Sequence, residues 1–129
     1  MELAIKHHNP DKVGKPQGPY TNMVETDDYV FLSGQAPIDP VTGKIFSGTF
    51  REEATLVFDN IKKLLGNVGL KLTDVVKVNA YLGSLEYLKE YNEIYKEYFS
   101  EPYPARTTVG CMLGNIKIEV DLIAYKKNS

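Results

Sequence analysis

The order of apolar and polar positions divides the chain into alternating strand-like and helix-like segments. Thr21 to Thr26 and Tyr29 to Gly34 read as two strands around Asp27-Asp28, which falls at a hairpin turn. Val30-Phe31-Leu32 is a continuous apolar run, the mark of a strand covered on both faces. Residues 2–8 predict a short edge strand. Gly14 to Pro19 is a turn-rich loop that delivers Tyr20, and Pro37 to Gly48 is a second loop. Thr49-Phe50-Arg51-Glu52 fits a capping box, and Ala54, Phe58, Ile61, Leu65 and Val68 follow at helical spacing, so a helix starts there and Gly69 ends it. Val75 to Leu82 reads as a strand with Val76, Val78, Ala80 and Leu82 on one face.

A second helix is expected to start near Ser84 and to stop before Pro102. Leu88, Asn92, Tyr95 and Phe99 fall on one side of it, widened by Leu85, Tyr91 and Tyr98. Asn92 is thus a polar side chain on a face that should be buried. Such an amide needs partners, either a neighbouring backbone or a site that it braces. Pro104 to Val109 is a β-leaning stretch with one arginine, Arg106. In the last strand Ile116, Ile118, Val120, Leu122 and Ala124 share the face that should meet the helices, while Lys117, Glu119 and Asp121 share the other. The sequence offers no third helix for that second face, which predicts contact with another subunit.

Composition narrows the function. The 129 residues fit one domain, 1–129, with a real core. Fifteen basic against seventeen acidic residues leave a net charge of −2, so no basic excess awaits a phosphate backbone. Lys126-Lys127 reads as a solubilising tail. The N-terminal residues lack the apolar core of a signal peptide and no run is long enough to cross a membrane, so the expectation is a cytoplasmic, soluble protein. Cys111 is the only cysteine and has no local partner histidine, which favours a small buried thiol over a nucleophile. His7 and His8 read as solvated. No spacing suits a metal site, a phosphate loop or a dinucleotide fingerprint. What remains is an arginine, whose fork suits a planar carboxylate, a few hydroxyls and one or two carboxylates. That set can bind a small carboxylic acid and position a water.

Taken in order, Gly18-Pro19-Tyr20, Leu32-Ser33-Gly34-Gln35, Asp39-Pro40 with Thr42-Gly43, Asn60, Val75-Val76-Lys77, Tyr91-Asn92, Pro104-Ala105-Arg106-Thr107 and Ile118-Glu119 resemble the RidA/YjgF family. Its members are reactive-intermediate (enamine/imine) deaminases, and the likeness runs from about Gly14 to Tyr125. It implies a chorismate-mutase-like α+β fold: one mixed sheet, two helices on one face, and a homotrimeric barrel with sites between subunits. It implies hydrolysis of 2-imino acids such as 2-iminobutanoate and 2-iminopropanoate, which leak from pyridoxal-phosphate enzymes, to 2-oxo acids and ammonia, with no cofactor and no metal. Carried across, Arg106 clamps the substrate carboxylate, helped by the backbone N–H of Thr108. Glu119 positions the attacking water. Tyr20, Ser33, Gly34 and Asn92 line or support the pocket, with Tyr20 contributed across the interface. The chain departs from many members in having Thr108 in place of a cysteine. Leu113-Gly114 also stands where Leu-Pro is usual, in a connection about two residues shorter, which bears on substrate breadth. Two other roles belong to the family's range. One is a non-catalytic carboxylate-binding regulatory trimer, against which Arg106 argues. The other is an RNA-cleaving translation inhibitor, against which the acidic balance argues.

Overall fold

Six strands form one mixed sheet in the computed structural model, which describes residues 4–11 and 15–126. The strands are β1 (Lys6–His8), β2 (Met23–Glu25), β3 (Tyr29–Gln35), β4 (Val75–Leu82), β5 (Ala105–Gly110) and β6 (Ile118–Tyr125), in the spatial order β1-β2-β3-β6-β4-β5. Only β4 and β5 run parallel. A parallel pair needs a crossover, and helix α2 (Leu88–Tyr98) supplies it. Helix α1 (Phe50–Gly66) fills the longer connection between β3 and β4. Gly14 and residues 2, 3 and 127, which figure in the expected elements, lie outside the described residues.

The core lies between the two helices and one face of the sheet. Val30 and Leu32 of β3, Val78, Ala80 and Leu82 of β4, and Ile118, Val120, Leu122 and Ala124 of β6 are buried against Phe58, Ile61 and Leu65 of α1 and Tyr91 and Ile94 of α2. Burying each large apolar side chain contributes about 2 kcal/mol. The expected capping box is present: the Thr49 hydroxyl accepts from Glu52 N–H at 3.1 Å, and Glu52 Oε1 accepts from Thr49 N–H at 2.9 Å. Gly69 takes φ +76°, and Leu70 N–H reaches Leu65 O at 2.9 Å while Gly69 N–H reaches Gly66 O at 3.1 Å. That pair of bonds is a Schellman motif, so the helix proper stops three residues before the glycine that closes it.

Several expectations need correction. Val76 points outward and Val75 inward, because a bulge shifts the register between Val75 and Lys77 against β6. Ser84 caps a 3₁₀ turn over Leu85–Tyr87 instead of α2 itself, accepting from Glu86 N–H at 3.1 Å. The buried stripe of α2 is centred on Tyr91, Ile94 and Tyr95, so Leu85 is left exposed. Phe31 is exposed, since the sheet has helices on one face only. Cys111 is also exposed, just past the end of β5. His8 is partly buried and its Nε2 lies 2.9 Å from Glu25 Oε1, while Lys126 Nζ lies 2.6 Å from Glu25 Oε2 and ties the chain end to β2.

Candidate active site

Arg106 sits on the edge strand β5, opposite Val78, which is in turn opposite Leu122. Residues directly opposite across strands project to the same face, so Arg106 stands on the helix side of the sheet. It lines a cleft of about 340 Å³ with Asn92, Tyr95, Lys96, Tyr103 and Pro104. Its guanidinium carbon lies 4.9 Å from the centroid of the Tyr95 ring and 5.4 Å from that of Tyr91, within cation–π range. Among the described residues the guanidinium makes no hydrogen bond and no ion pair. Its charge is therefore uncompensated.

Polar side-chain atoms without partners among the described residues lie on α2 and β5, the elements that build the cleft. Asn92 Oδ1, Thr108 Oγ1 and the hydroxyls of Tyr91 and Tyr95 are buried and unbonded. Buried polar atoms are ordinarily paired, and four orphans beside one cation mark a place where packing has not been optimised for its own sake. Burial pushes the Tyr95 hydroxyl up to about 12, against a downward pull from Arg106, so it stays protonated at any ordinary pH. Burial also raises Tyr91. The Thr108 N–H has a definite direction. Cys111 N–H bonds back to Leu82 O of β4 at 2.9 Å. Successive N–H groups of a strand alternate sides, so those of Arg106 and Thr108 leave the free edge of the sheet.

Glu119 lies elsewhere. It is opposite Tyr81, which is opposite Val109, and this places it on the face without helices. A second pocket of about 240 Å³ holds it together with Lys15, Gln17, Tyr20, Asn22, Gly34, Gln35 and the residues of two flanking loops. Burial raises the Glu119 pKa above the ordinary carboxylate value, and the neighbouring Asp121 charge adds to this. Gly34 leaves room for this carboxylate. A Cβ at position 34 would stand 2.8 Å from Glu119 Oε2 and 2.9 Å from its Cδ. Ser33 does not line the pocket. Its hydroxyl donates to Thr21 O and its N–H bonds Asn22 O at 2.9 Å, which fixes the segment carrying Tyr20. The exposed Tyr20 accepts from Gln17 N–H at 3.2 Å.

The seven residues expected at the site therefore form two groups. Arg106 and Asn92 share the helix-side cleft, with Thr108 two residues along the same face of β5; Tyr20, Gly34 and Glu119, steadied by Ser33, share the open-side pocket. Within one chain the sheet lies between Arg106 and Glu119. Sequence reasoning missed Tyr95 and Tyr103 as cleft residues, although Tyr95 is three residues from Asn92 on the same helix face. It also missed Glu53, a fully buried carboxylate that accepts from Gly48 N–H at 3.2 Å, Lys117 N–H at 2.8 Å and Lys117 Nζ at 3.2 Å. Glu53 lies between apolar positions of α1 and gave no signal in the hydrophobic pattern. Among the described residues no group of three or more His, Cys, Asp or Glu could hold a metal, and no helix is long and apolar enough to cross a membrane.

Comparison with known proteins connects this geometry to a family. Residues 11–126 match the family described as Endoribonuclease L-PSP. A RutC family protein of Pyrococcus abyssi is 42% identical over 119 residues, covering 91% of this chain and 94% of the relative. A 2-iminobutanoate/2-iminopropanoate deaminase of Dermatophagoides farinae is 36% identical over 111 residues, covering 84% and 87%. The crystal structure of RidA from an Antarctic Psychrobacter superposes with a TM-score of 0.86 at 34% identity, covering 97% of this chain and all of that one. With the order of motifs, the single mixed sheet and its two helices all in agreement, the chain belongs to the RidA/YjgF family, the one whose model carries the endoribonuclease L-PSP description.

Proposed function

We propose that this protein is a 2-imino acid deaminase, hydrolysing 2-iminobutanoate, 2-iminopropanoate and their enamine tautomers to 2-oxo acids and ammonia. The observation that carries the reading is Arg106: a cation with no hydrogen-bond or ion-pair partner among the described residues, over aromatic rings, in a cleft sized for a small acid. An arginine fork holds a carboxylate by two parallel hydrogen bonds, and the outward N–H of Thr108 adds a third donor. The imine carbon then lies beside the bound carboxylate. Water adds to that carbon, its proton passes to nitrogen, and the carbinolamine expels ammonia as the C=O forms. Glu119 orients the water, takes its proton as the C–O bond forms and hands that proton on to the nitrogen, so the carboxylate is regenerated. A carboxyl whose pKa is raised toward the working pH suits that role. Imines hydrolyse unaided, so orientation and electrostatics suffice without a covalent intermediate. The deaminase name of the Dermatophagoides relative supports the same chemistry.

The two groups of residues join if the Arg106 cleft of one copy meets the Glu119 pocket of the next. Arg106 stands at a sheet edge, and the open face bearing Glu119 also carries exposed Tyr29, Phe31 and Tyr125. Those rings favour burial against another copy, and a closed homotrimer is the assembly we infer. The RNA-cleaving reading that the family description suggests has less support here, because the net charge is −2 and the chain has no general basic excess to hold a phosphate backbone. The test is a coupled assay in which threonine dehydratase generates 2-iminobutanoate while semicarbazide competes for it. The protein should cut semicarbazone formation, and Arg106→Ala should not. No effect from the parent protein would end the enzyme reading.

A further inference from the structure

We propose that Tyr95 is a positioning residue, whose ring fixes the Arg106 guanidinium for substrate while leaving its charge uncancelled. The inference rests on the reading of Arg106 as the carboxylate clamp. A flexible arginine on an edge strand needs something to hold it. The common solution is a carboxylate, and the chain uses it elsewhere: Arg51 pairs with Glu97 at 3.0 Å and Lys117 with Glu53 at 3.2 Å. At Arg106 that solution would defeat the purpose, because a bound carboxylate would occupy the same fork and neutralise the same charge as the substrate. An aromatic face avoids the conflict. It attracts the cation through the ring quadrupole and takes none of its N–H donors.

The platform is built to stay still. Tyr95 stacks on Phe99 with centroids 4.5 Å apart and planes 24° from parallel, meets Phe58 edge-on at 6.4 Å, and touches Tyr91 at 5.6 Å and Tyr103 at 6.3 Å. Tyr91 is in turn stacked with Phe58 at 6.2 Å. The guanidinium lies nearer Tyr95 than Tyr91, and Tyr95 is the one that lines the cleft. Its hydroxyl is buried without a partner, so the phenol oxygen is not what holds the residue in place. What the site uses is the ring.

The test compares variants in the 2-iminobutanoate assay, with KM and kcat determined separately and 2-oxobutanoate binding measured by calorimetry. Tyr95→Phe keeps the face and removes an unbonded hydroxyl; as the conservative variant it should rescue most of the KM change that leucine causes. Tyr95→Leu should raise KM about tenfold and weaken 2-oxobutanoate to a similar extent, with kcat within about twofold, because a clamp that grips substrate and transition state alike acts on binding. Pentafluorophenylalanine at position 95 preserves the shape while withdrawing charge from the ring, and should reproduce the KM rise with an unchanged melting temperature even if the leucine variant folds poorly. Parent-like KM in the fluorinated protein, while Arg106→Ala is inactive, would overturn the platform and leave the site reading standing. Parent-like activity in Arg106→Ala would overturn both.

Discussion

The two halves of the candidate site are held by opposite means. Around Arg106 stand neutral aromatic rings and, among the described residues, no paired counter-charge. Around Glu119 the chain places a pocket of mixed amide and apolar lining whose burial, with a second carboxylate, Asp121, makes ionisation harder. The loops flanking the Glu119 pocket are pinned by Glu53, a buried charge that is fully paired. The contrast follows from what each group is proposed to do. A residue that binds an anion must keep its charge available, so it is supported by something that cannot neutralise it. A residue that accepts a proton must be poised near the working pH, so its charged form is disfavoured. The fully paired charge belongs to neither role; Glu53 holds backbone.

The largest effect is expected from separating the two halves between chains. Arg106→Ala and Glu119→Ala should each lower kcat/KM by about a thousandfold, the scale of losing a preorganised charged group. Unfolded together and refolded as a mixture, the two inactive proteins should recover about a quarter of the parent activity, since random pairing puts an intact cleft against an intact pocket in that share of interfaces. A mixture as inactive as its parts would mean that both groups serve one chain's site.

The next largest effect is at Gly34. The methyl of Gly34→Ala would overlap the Glu119 carboxylate at 2.8 Å, and the end of a flexible side chain is what must yield. The expected result is a fall of roughly 30-fold in kcat from misplacement of the reacting group, with KM and melting temperature near the parent's. A stability loss with kcat intact would show that the glycine serves packing alone. Glu53→Ala leaves two backbone N–H groups and Lys117 Nζ unpaired, and should cost about 3 kcal/mol in chemical denaturation. The comparison adds that kcat should fall, because the loosened loops border Glu119, whereas KM, set at the Arg106 cleft, should hold.

Much of this architecture can be read from the one-dimensional pattern. The capping box at Thr49, the strand at Val75–Leu82 and the buried alternation of β6 are local signals that the core reinforces. The failures are where a neighbour in space decides. Val76 lost its place inside because of a bulge against β6, and no residue in its own strand announces that. Cys111 turned out exposed because β5 is an edge strand that ends there. Glu53 is invisible for the same reason: its partners are 5 and 64 residues away. The candidate site residues could be named from the sequence, but their division between two faces could not, because it depends on strand order. Two of the nine tyrosines, Tyr91 and Tyr95, become intelligible only once they are seen beneath Arg106.

The smallest expected effect concerns protons, and it tests whether the two supports really differ in kind. Burial, with Asp121 second, raises the Glu119 pKa above its ordinary 4.5. A carboxyl that is harder to ionise when folded than when unfolded opposes folding at every pH above its folded pKa, and has no such effect once both states are protonated. Glu119→Gln should therefore melt slightly higher than the parent at neutral pH. The advantage should shrink as the pH falls through the raised value, and should be gone below about 4.5. Arg106→Gln should show no such convergence, since the guanidinium is charged in both states throughout that range. Parallel melting curves for Glu119→Gln and the parent across the whole range would mean that the carboxylate is as comfortable folded as in water, and the asymmetry between the two halves would rest on position alone.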